Sequence, residues 1–209
     1  MSATTNIYLV RHGETAWNVE HRMQGHQDSS LTELGVQQAL WLGERLRKEL
    51  PHVIYTSSSN RAYRTAELIK QENDIAINTS DELKEINLGL WEGKTQAFIK
   101  ENYSDQFENF WNDPESYIPY GGETFKQVEH RAISKLSEIL SLHQGKRVLI
   151  VTHTVVVKLL MADFENRLLK DLWKPPFIHP VSLCHIHLAN DLPSILLHGD
   201  TSHYKISLN

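Results

Sequence analysis

The first residues of the chain that could do chemistry are an arginine, a histidine and a glycine placed directly after a short apolar run. The run covers residues 7–10, and Arg11, His12 and Gly13 follow it. This order predicts a cation and an imidazole at the carboxyl end of a buried strand, where open α/β sheets bind ligands. A neutral imidazole is a nucleophile, and a guanidinium can hold a phosphate through two parallel hydrogen bonds. Gly13 lets the backbone turn sharply beside the imidazole. For these residues alone, a solvated Arg–His pair remains an alternative.

Polar groups recur at two other predicted strand ends. Arg61 falls in the first turn of a helix that follows the apolar run 53–56. A cation there is unfavourable unless an anion lies nearby, although a long arginine can also reach solvent. His153 follows the run 148–151, and a helix starting at Thr154 would direct free N–H groups toward an anion. A lone histidine at a strand end is usually structural, but two histidines and two arginines in this arrangement favour an anion site.

A candidate general acid lies in the segment 83–93. Glu85 and Glu92 stand there among apolar residues. A carboxyl group in such surroundings can have a raised pKa and stay protonated, as a general acid must. The alternative is that both side chains face solvent or pair with Lys84 and Lys94.

Short apolar runs alternate with helical patterns along the chain. We predict strands at 7–10, 53–56, 75–77, 148–151, 181–187 and 195–198, the last two joined across 190–193, and helices at 32–50, 60–72, 123–143 and 154–164. Thr32 is the expected N-cap of the first helix, and Pro51 closes it. The pattern predicts a three-layer α/β/α sandwich with a mostly parallel, mixed central sheet of about six strands. We predict a single domain over 1–209, with a helical lid-like insertion at about 94–122.

Composition narrows the class of protein. The 209 residues carry a net charge of -5, which argues against general nucleic-acid binding. The single cysteine, Cys184, fits a reducing compartment. The first apolar run is too short for a signal peptide or a membrane span, so we expect a cytoplasmic protein without membrane or nucleic-acid partners. The 12 histidines show no structural zinc spacing, and we expect no metal site. The sequence leaves the oligomeric state open.

Taken together, six motifs resemble the histidine phosphatase superfamily, the phosphoglycerate-mutase-like proteins. They follow one another in the family's order and cover residues 9–15, 17–18, 31–32, 55–61, 85–93 and 152–153. A bare Arg-His-Gly would be weak support, whereas six ordered motifs are strong. Within the superfamily, the chain looks most like the short bacterial broad-specificity phosphatases.

The resemblance implies a mechanism through a phosphohistidine at His12. Arg11, Arg61 and His153 would surround the phosphoryl oxygens and stabilise their charge in the transition state. Glu85 would protonate the leaving oxygen and later activate water. Members of the family do this chemistry without a metal or another cofactor, because cationic side chains neutralise the phosphoryl charge.

Further substrate contacts follow from the same resemblance. Asn18 and Gln24 match positions that hydrogen-bond the phosphate in the phosphatase branch. Thr154 departs from the family, which often has glycine there, and its side chain would narrow the pocket or bond the substrate. Because threonine is a good N-cap, we expect the helix to start there nonetheless.

The composition of residues 101–120 helps to decide between the phosphatase and mutase branches of the superfamily. It holds no lysine or arginine but five acidic residues and six aromatic ones: Glu101, Asp105, Glu108, Asp113 and Glu115, and Tyr103, Phe107, Phe110, Trp111, Tyr117 and Tyr120. An acidic, aromatic lid would repel a bisphosphate and favour apolar leaving groups, although the aromatic residues could instead pack a helical subdomain against the core.

We therefore expect a metal-independent phosphomonoester hydrolase of broad specificity that acts on small phosphorylated metabolites. The alternatives are a cofactor-dependent phosphoglycerate mutase, an α-ribazole phosphatase and, last, a non-catalytic phosphate-binding module. The presence of His12 and its four expected partners is the reason for ranking the last alternative lowest.

Overall fold

Six strands form the centre of the molecule. The computed structural model describes residues 4–190 and 192–206. The strands are β1 (Thr5–Arg11), β2 (Val53–Ser57), β3 (Ile77–Ser80), β4 (Arg147–Thr152), β5 (Leu183–Ala189) and β6 (Leu192–Asp200). Their order in the sheet is β3-β2-β4-β1-β5-β6. The first three neighbouring pairs are parallel and the two pairs at the β5–β6 side are antiparallel, which confirms the predicted mixed sheet.

Helices cover both faces of this sheet. They are α1 (Ala16–Val19), α2 (Glu33–Leu46), α3 (Asn60–Lys70), α4 (Gln96–Asn102), α5 (Ser104–Asn112), α6 (Phe125–Leu142) and α7 (Thr154–Glu165), with 3₁₀ turns at Asp81–Leu83, Gly89–Trp91 and Leu169–Asp171. Alternate residues of β1 enter different cores, Ile7 and Leu9 on the side of α6 and α7, Tyr8 and Val10 on the side of α2 and α3. A strand buried on both faces must be apolar throughout, which explains the continuous run at 7–10.

Several predicted boundaries were wrong; among them, α3 ends at Lys70 rather than at residue 72, and β5 covers Leu183–Ala189 rather than 181–187. Helix α2 ends at Leu46 rather than at residue 50, where tight turns replace the helical pattern: the amides of Arg47 and Glu49 donate to the carbonyls of Glu44 and Leu46. Pro51 disfavours the helical conformation only for Leu50. Strand β3 lies at Ile77–Ser80 rather than at 75–77, since this edge strand carries polar residues that give no apolar signal. Pro193 lies inside β6 rather than in the connection, a position that an edge strand tolerates. Asp191, within that connection, lies outside the described residues.

The segment at about 94–122 contains α4 and α5, and aromatic side chains pack it onto the rest of the molecule. The Phe110 ring lies 4.9 Å from that of Phe125 and 5.5 Å from that of Trp173, centroid to centroid. The alternative role for the aromatic residues, as core packing, is therefore correct for part of the set. That the segment acts as a lid of a single domain stays a prediction.

Across the described ranges 4–190 and 192–206, the helices are too short or too polar to span a bilayer.

Candidate active site

His12 lies directly after β1 and is held in one orientation by the backbone around it. Its amide donates to the carbonyl of Thr152 at the end of β4, and its Nδ1 lies 2.8 Å from its neighbour Gly13's carbonyl oxygen. A carbonyl only accepts, so Nδ1 carries the hydrogen and Nε2 keeps a free electron pair. Burial lowers the pKa of His12 well below 6.5, and the charges of Arg61 and Arg11 lower it further. The imidazole is therefore neutral at pH 7 and nucleophilic at Nε2.

Gly13 is required by close packing rather than by an unusual backbone angle. A Cβ atom there would lie 2.6 Å from the carbonyl oxygen of Gly35 in the first turn of α2. The expected sharp turn at Gly13 needs no left-handed φ, since this glycine is absent from the positive-φ positions of the described chain. Its amide donates to the hydroxyl of Thr65 in α3, at 3.0 Å. The loop after β1 is thus fixed against both helices of one layer.

Arg11 and Arg61 are both buried, 9% and 2% exposed, and each is held by main-chain oxygens. Arg11 donates from Nη1 to the carbonyl of Ile178, at 2.9 Å. Burial lowers its pKa to about 10. These contacts use part of each guanidinium's five N–H donors and leave the rest for a ligand.

Arg61 is anchored by the loop 25–28. It donates to the carbonyls of Gly25 and Gln27, and its Nη1 lies 2.9 Å from a carboxylate oxygen of Asp28. Asp28 thus supplies the anion that a cation in the first turn of α3 requires. Sequence reasoning expected an anion at this place but did not identify Asp28.

His153 completes the histidine pair. Its ring centroid lies 5.2 Å from that of His12, and its Nε2 lies 2.8 Å from the hydroxyl oxygen of Ser57 at the end of β2. Burial, Arg61 and His12 lower its pKa well below 6.5. The N-cap of α7 is His153 itself, so the prediction that Thr154 caps this helix was wrong: Thr154 is the first helical residue. Thr154 nevertheless lines the cavity described below.

Three buried nitrogens around His12 have no hydrogen-bond partner among the residues that the structure describes. They are Nε of Arg11, Nε of Arg61 and Nδ1 of His153. Leaving a buried donor unpaired is costly, and native proteins do so rarely. Three such groups beside one neutral imidazole form a cradle for an anion with several acceptor oxygens.

Glu85 reaches the same place from the loop before the second 3₁₀ turn. Its two carboxylate oxygens accept hydrogen bonds from the amides of Ile86, at 3.0 Å, and Val155, at 3.2 Å. Burial raises the pKa of Glu85 above 4.5, although these bonds and the charges of Arg61 and Arg11 oppose the rise. One of the free N–H groups expected at the start of α7 is therefore used by Glu85.

The expected amide contacts, Asn18 and Gln24, meet at the hydroxyl of Thr15. Asn18 Oδ1 accepts from the Thr15 hydroxyl at 3.0 Å, and Gln24 Nε2 donates to that hydroxyl at 2.7 Å. Thr15 and Asn18 also form the capping box that starts α1, in which the amide of each residue donates to the side-chain oxygen of the other. Both side chains line the cavity, and the shared Thr15 fixes their orientation.

The cavity has a volume of about 580 Å³ and contains all the site residues predicted from the sequence except His153, which contacts it through His12. Its apolar wall was not predicted as a unit and comes from distant parts of the chain: Phe110, Trp111, Trp173, Pro175, Phe177 and Ile178.

The charges around the cavity differ from those expected from the stretch 101–120. All five acidic residues of that stretch are exposed and none lines the cavity. Arg22 and Lys158 line it instead, and both were missed. Lys158 had a signal in the sequence, since it is the one charged residue between Thr154 and Ala162 in an otherwise apolar helix.

Glu92, the second candidate carboxylate, has a structural role. Its oxygens accept hydrogen bonds from the amides of His26, Gln27 and Leu88. It therefore ties the Arg61-binding loop to the segment that carries Glu85. The alternative that Glu85 and Glu92 pair with Lys84 and Lys94 was wrong, since Lys84 pairs with Asp81 and the ammonium group of Lys94 lies over the ring of Phe98.

Within the described parts of the chain, no group of three or more His, Cys, Asp or Glu side chains is placed to hold a metal ion. The expectation that the chemistry needs no metal or cofactor stays a prediction.

Comparison with known proteins identifies a family and several similar proteins. Residues 7–201 match the family described as the histidine phosphatase superfamily, branch 1. The YhfR structure from Bacillus stearothermophilus is 46% identical, with a TM-score of 0.93 over 95% of this chain and 98% of that one. A mycobacterial glucosyl-3-phosphoglycerate phosphatase is 26% identical, with a TM-score of 0.84 over 92% of this chain and 98% of that one.

A probable phosphoglycerate mutase, GpmB of Salmonella paratyphi A, is 36% identical over 157 residues, which are 75% of this chain and 73% of the relative. Names of both phosphatases and mutases thus occur among similar proteins. The matched range includes every residue of the cradle around His12, and the chain belongs to the histidine phosphatase superfamily, branch 1.

Proposed function

We propose that this protein is a phosphomonoester hydrolase that works through a phosphohistidine at His12, on small phosphorylated metabolites and without a metal ion. The observation that carries the proposal is the cradle of unpartnered nitrogens, from Arg11, Arg61 and His153, beside a neutral imidazole. Two guanidinium groups and an imidazole close to His12 can supply hydrogen-bond donors to the three equatorial oxygens of a phosphoryl group in transfer. Two guanidinium groups supply the positive charge that a metal ion supplies in other phosphoryl-transfer enzymes.

The first step forms the phosphohistidine. Nε2 of His12 attacks phosphorus, the bond from phosphorus to the ester oxygen breaks, and protonated Glu85 transfers its proton to that oxygen. The alcohol leaves, and Glu85 remains as a carboxylate. The raised pKa of Glu85 makes the protonated form available for this step.

The second step releases phosphate. Glu85 accepts a proton from a water molecule, the water oxygen attacks phosphorus, and the P–N bond to His12 breaks. Asn18 and Gln24 are the proposed additional donors to the phosphate, and Thr154 is a proposed contact at the rim. The contact between His153 Nε2 and the Ser57 hydroxyl allows the tautomer that donates from Nδ1, which requires that hydroxyl to donate to Nε2.

A cofactor-dependent phosphoglycerate mutase is the second candidate. Two observations favour it: Lys158 and Arg22 line the cavity, and a relative of this chain is named as a probable mutase. Arg22 pairs with Glu20 and donates to the carbonyl of Gly93, which leaves less of its charge for a second phosphate. The apolar wall supports hydrolysis of esters with apolar leaving groups over transfer to a second phosphate site.

The test is a paired assay of the purified protein in EDTA. One arm follows hydrolysis of p-nitrophenyl phosphate and α-ribazole 5'-phosphate, and the other follows isomerisation of 3-phosphoglycerate with 2,3-bisphosphoglycerate present. We expect hydrolysis with little isomerisation, loss of activity in His12→Ala, and an acid-labile phosphoryl group on His12 after rapid quenching. Isomerisation much faster than hydrolysis would establish the mutase, and phosphate binding without turnover in either arm would establish a binding module.

A further inference from the structure

We propose that Lys158 binds a carboxylate on the leaving group, so that the preferred substrates are phosphomonoesters of apolar alcohols that carry a carboxylate. This inference rests on the proposed function, since it assigns the alcohol side of the same substrate. It names a specificity-determining residue beyond the phosphate cradle.

Lys158 stands one helical turn beyond the residues that begin α7 at the cavity. With Thr154 and Val155 it lines the cavity, and its side chain is only 5% exposed. Its Nζ donates to the carbonyl oxygens of Lys174, at 2.6 Å, and Pro176, at 2.9 Å. An ammonium group has three hydrogens, so one donor remains for a ligand.

The surroundings of Lys158 leave its charge without a paired anion. Across residues 4–190 and 192–206, no carboxylate oxygen lies within 4.0 Å of its Nζ; the carboxylate of Glu165, which is nearby, contacts Arg167 at 2.8 Å and His198 at 2.9 Å. Burial lowers the pKa of Lys158 to about 8, and the charge of Arg167 contributes to this shift. At pH 7 the side chain is therefore mostly protonated, and a buried cation is stabilised by an anionic partner.

The form of the cavity determines which anion fits. Phe110, Trp111 and Trp173 make the wall apolar, so an apolar body on the leaving group would be buried well. One lysine complements the single charge of a carboxylate, whereas a second phosphate would bring about two negative charges to one cation at pH 7. We therefore assign a carboxylate rather than a phosphate to Lys158.

A purely structural role for Lys158 is the competing explanation, because it fastens the segment 174–176. Arg167 provides the matched control: it donates to the carbonyls of Lys174, at 3.1 Å, and Pro175, at 3.3 Å, but it does not line the cavity. We expect removal of Arg167 to loosen the same segment while the Lys158 side chain and its two carbonyl contacts are kept.

The experiment measures the ratio of kcat/KM within two matched substrate pairs: 3-phosphoglycerate against glycerol 3-phosphate, and 4-carboxyphenyl phosphate against phenyl phosphate. In each pair only the first member carries a carboxylate. We expect Lys158→Met to lower both ratios about tenfold or more, the lower end for a hydrogen bond to a charged group. Lys158→Gln, which keeps a donor for the carbonyls, should lower them as well, and Arg167→Met should keep the wild-type ratios.

Binding of the first pair to His12→Ala, with and without Lys158→Met, gives a second readout by calorimetry that does not need turnover. A ratio unchanged by Lys158→Met, or lowered equally by Arg167→Met, overturns the assignment. If the wild type hydrolyses neither the four esters nor p-nitrophenyl phosphate and α-ribazole 5'-phosphate, the proposed function fails, while the calorimetric ratio still tests Lys158.

Discussion

The two reactive residues of the site, His12 and Glu85, gain their reactivity from their buried surroundings. His12 stays neutral because its surroundings are buried and cationic, and Glu85 stays protonated to a higher pH because burial outweighs its hydrogen bonds. The environment lowers the pKa of His12 and raises that of Glu85, and both shifts increase the fraction of molecules in which a neutral imidazole and a protonated carboxyl group are present together.

The contribution of Glu85 to catalysis depends on how basic the leaving group is. We expect Glu85→Gln to lower kcat/KM for glycerol 3-phosphate about 10²- to 10⁴-fold, the usual contribution of general acid–base catalysis. The loss should be far smaller for p-nitrophenyl phosphate, because p-nitrophenolate is a weak base that leaves without a proton. Steady-state kinetics on both esters measure this, and kcat/KM is the right quantity because it reports the first step. Equal losses on the two esters would assign Glu85 a structural role.

The pH dependence follows from the same two groups. Falling pH protonates Nε2 of His12 and removes the nucleophile, and the lowered pKa of His12 places this limb below pH 6.5. Rising pH ionises Glu85 and removes the acid, at a pH above the ordinary value of about 4.5. We expect a bell-shaped profile of kcat/KM for glycerol 3-phosphate, corrected for the substrate's own ionisation, and loss of the alkaline limb in Glu85→Gln. A wild-type profile that stays flat into strongly alkaline pH contradicts this role for Glu85.

At the scale of elements, loops that carry no catalytic group hold the site together. Glu92 joins the segment that bears Glu85 to the loop 25–28, and the carbonyls of that loop hold Arg61. Arg131 of α6 adds to this by donating to the carbonyls of Glu82, Lys84 and Glu85. The position of the cradle thus depends on contacts between loops that lie far apart in the sequence.

Weakening one of these contacts between loops should weaken the binding of phosphate in the cradle. Glu92→Gln replaces a carboxylate that accepts three amide hydrogens by a neutral amide, so the loop 25–28 is held less firmly and Arg61 with it. We expect the inhibition constant of inorganic phosphate to rise about tenfold, since displacements of about 1 Å from the productive geometry are costly. Glu108→Gln is the matched control, because Glu108 is exposed on α5 and contacts Asn112. If the inhibition constant of inorganic phosphate is similar in both variants, Glu92 does not hold Arg61 in position.

The sequence predicts those site residues that directly follow a recognisable strand. His12, Arg61 and His153 follow β1, β2 and β4, and the carboxyl ends of adjacent parallel strands meet at one edge of the sheet. Asp28 and Lys158 were missed because their roles depend on partners 33 and 16 residues away. Spacing along a helix or strand carries no information about such contacts, and only the folded chain brings them together.

At the scale of the whole molecule, the fold places two buried cations side by side, and this costs stability that an anion would restore. Burial and the charge of Arg61 both oppose the protonated form of Arg11, although Glu85 partly offsets them. Concentrated positive charge of this kind is a common reason why active sites are less stable than the rest of a fold. The protein is therefore expected to be more stable with an anion bound in the cradle.

Inorganic phosphate should consequently raise the melting temperature of the wild type, by an amount that grows with the logarithm of its concentration. At 100 times Kd the gain in unfolding free energy is about 2.7 kcal/mol, because phosphate binds the folded chain alone. Arg11→Met keeps the length of the side chain but removes its charge and gives up one protein hydrogen bond, to Ile178. We expect this variant to melt at or above the wild-type temperature without phosphate and to lose most of the phosphate-dependent rise. Differential scanning calorimetry at matched ionic strength, with chloride as the control anion, measures both effects. A phosphate-dependent rise of equal size in the wild type and in Arg11→Met would mean that phosphate acts elsewhere, and it would remove the main support for an anion cradle around His12.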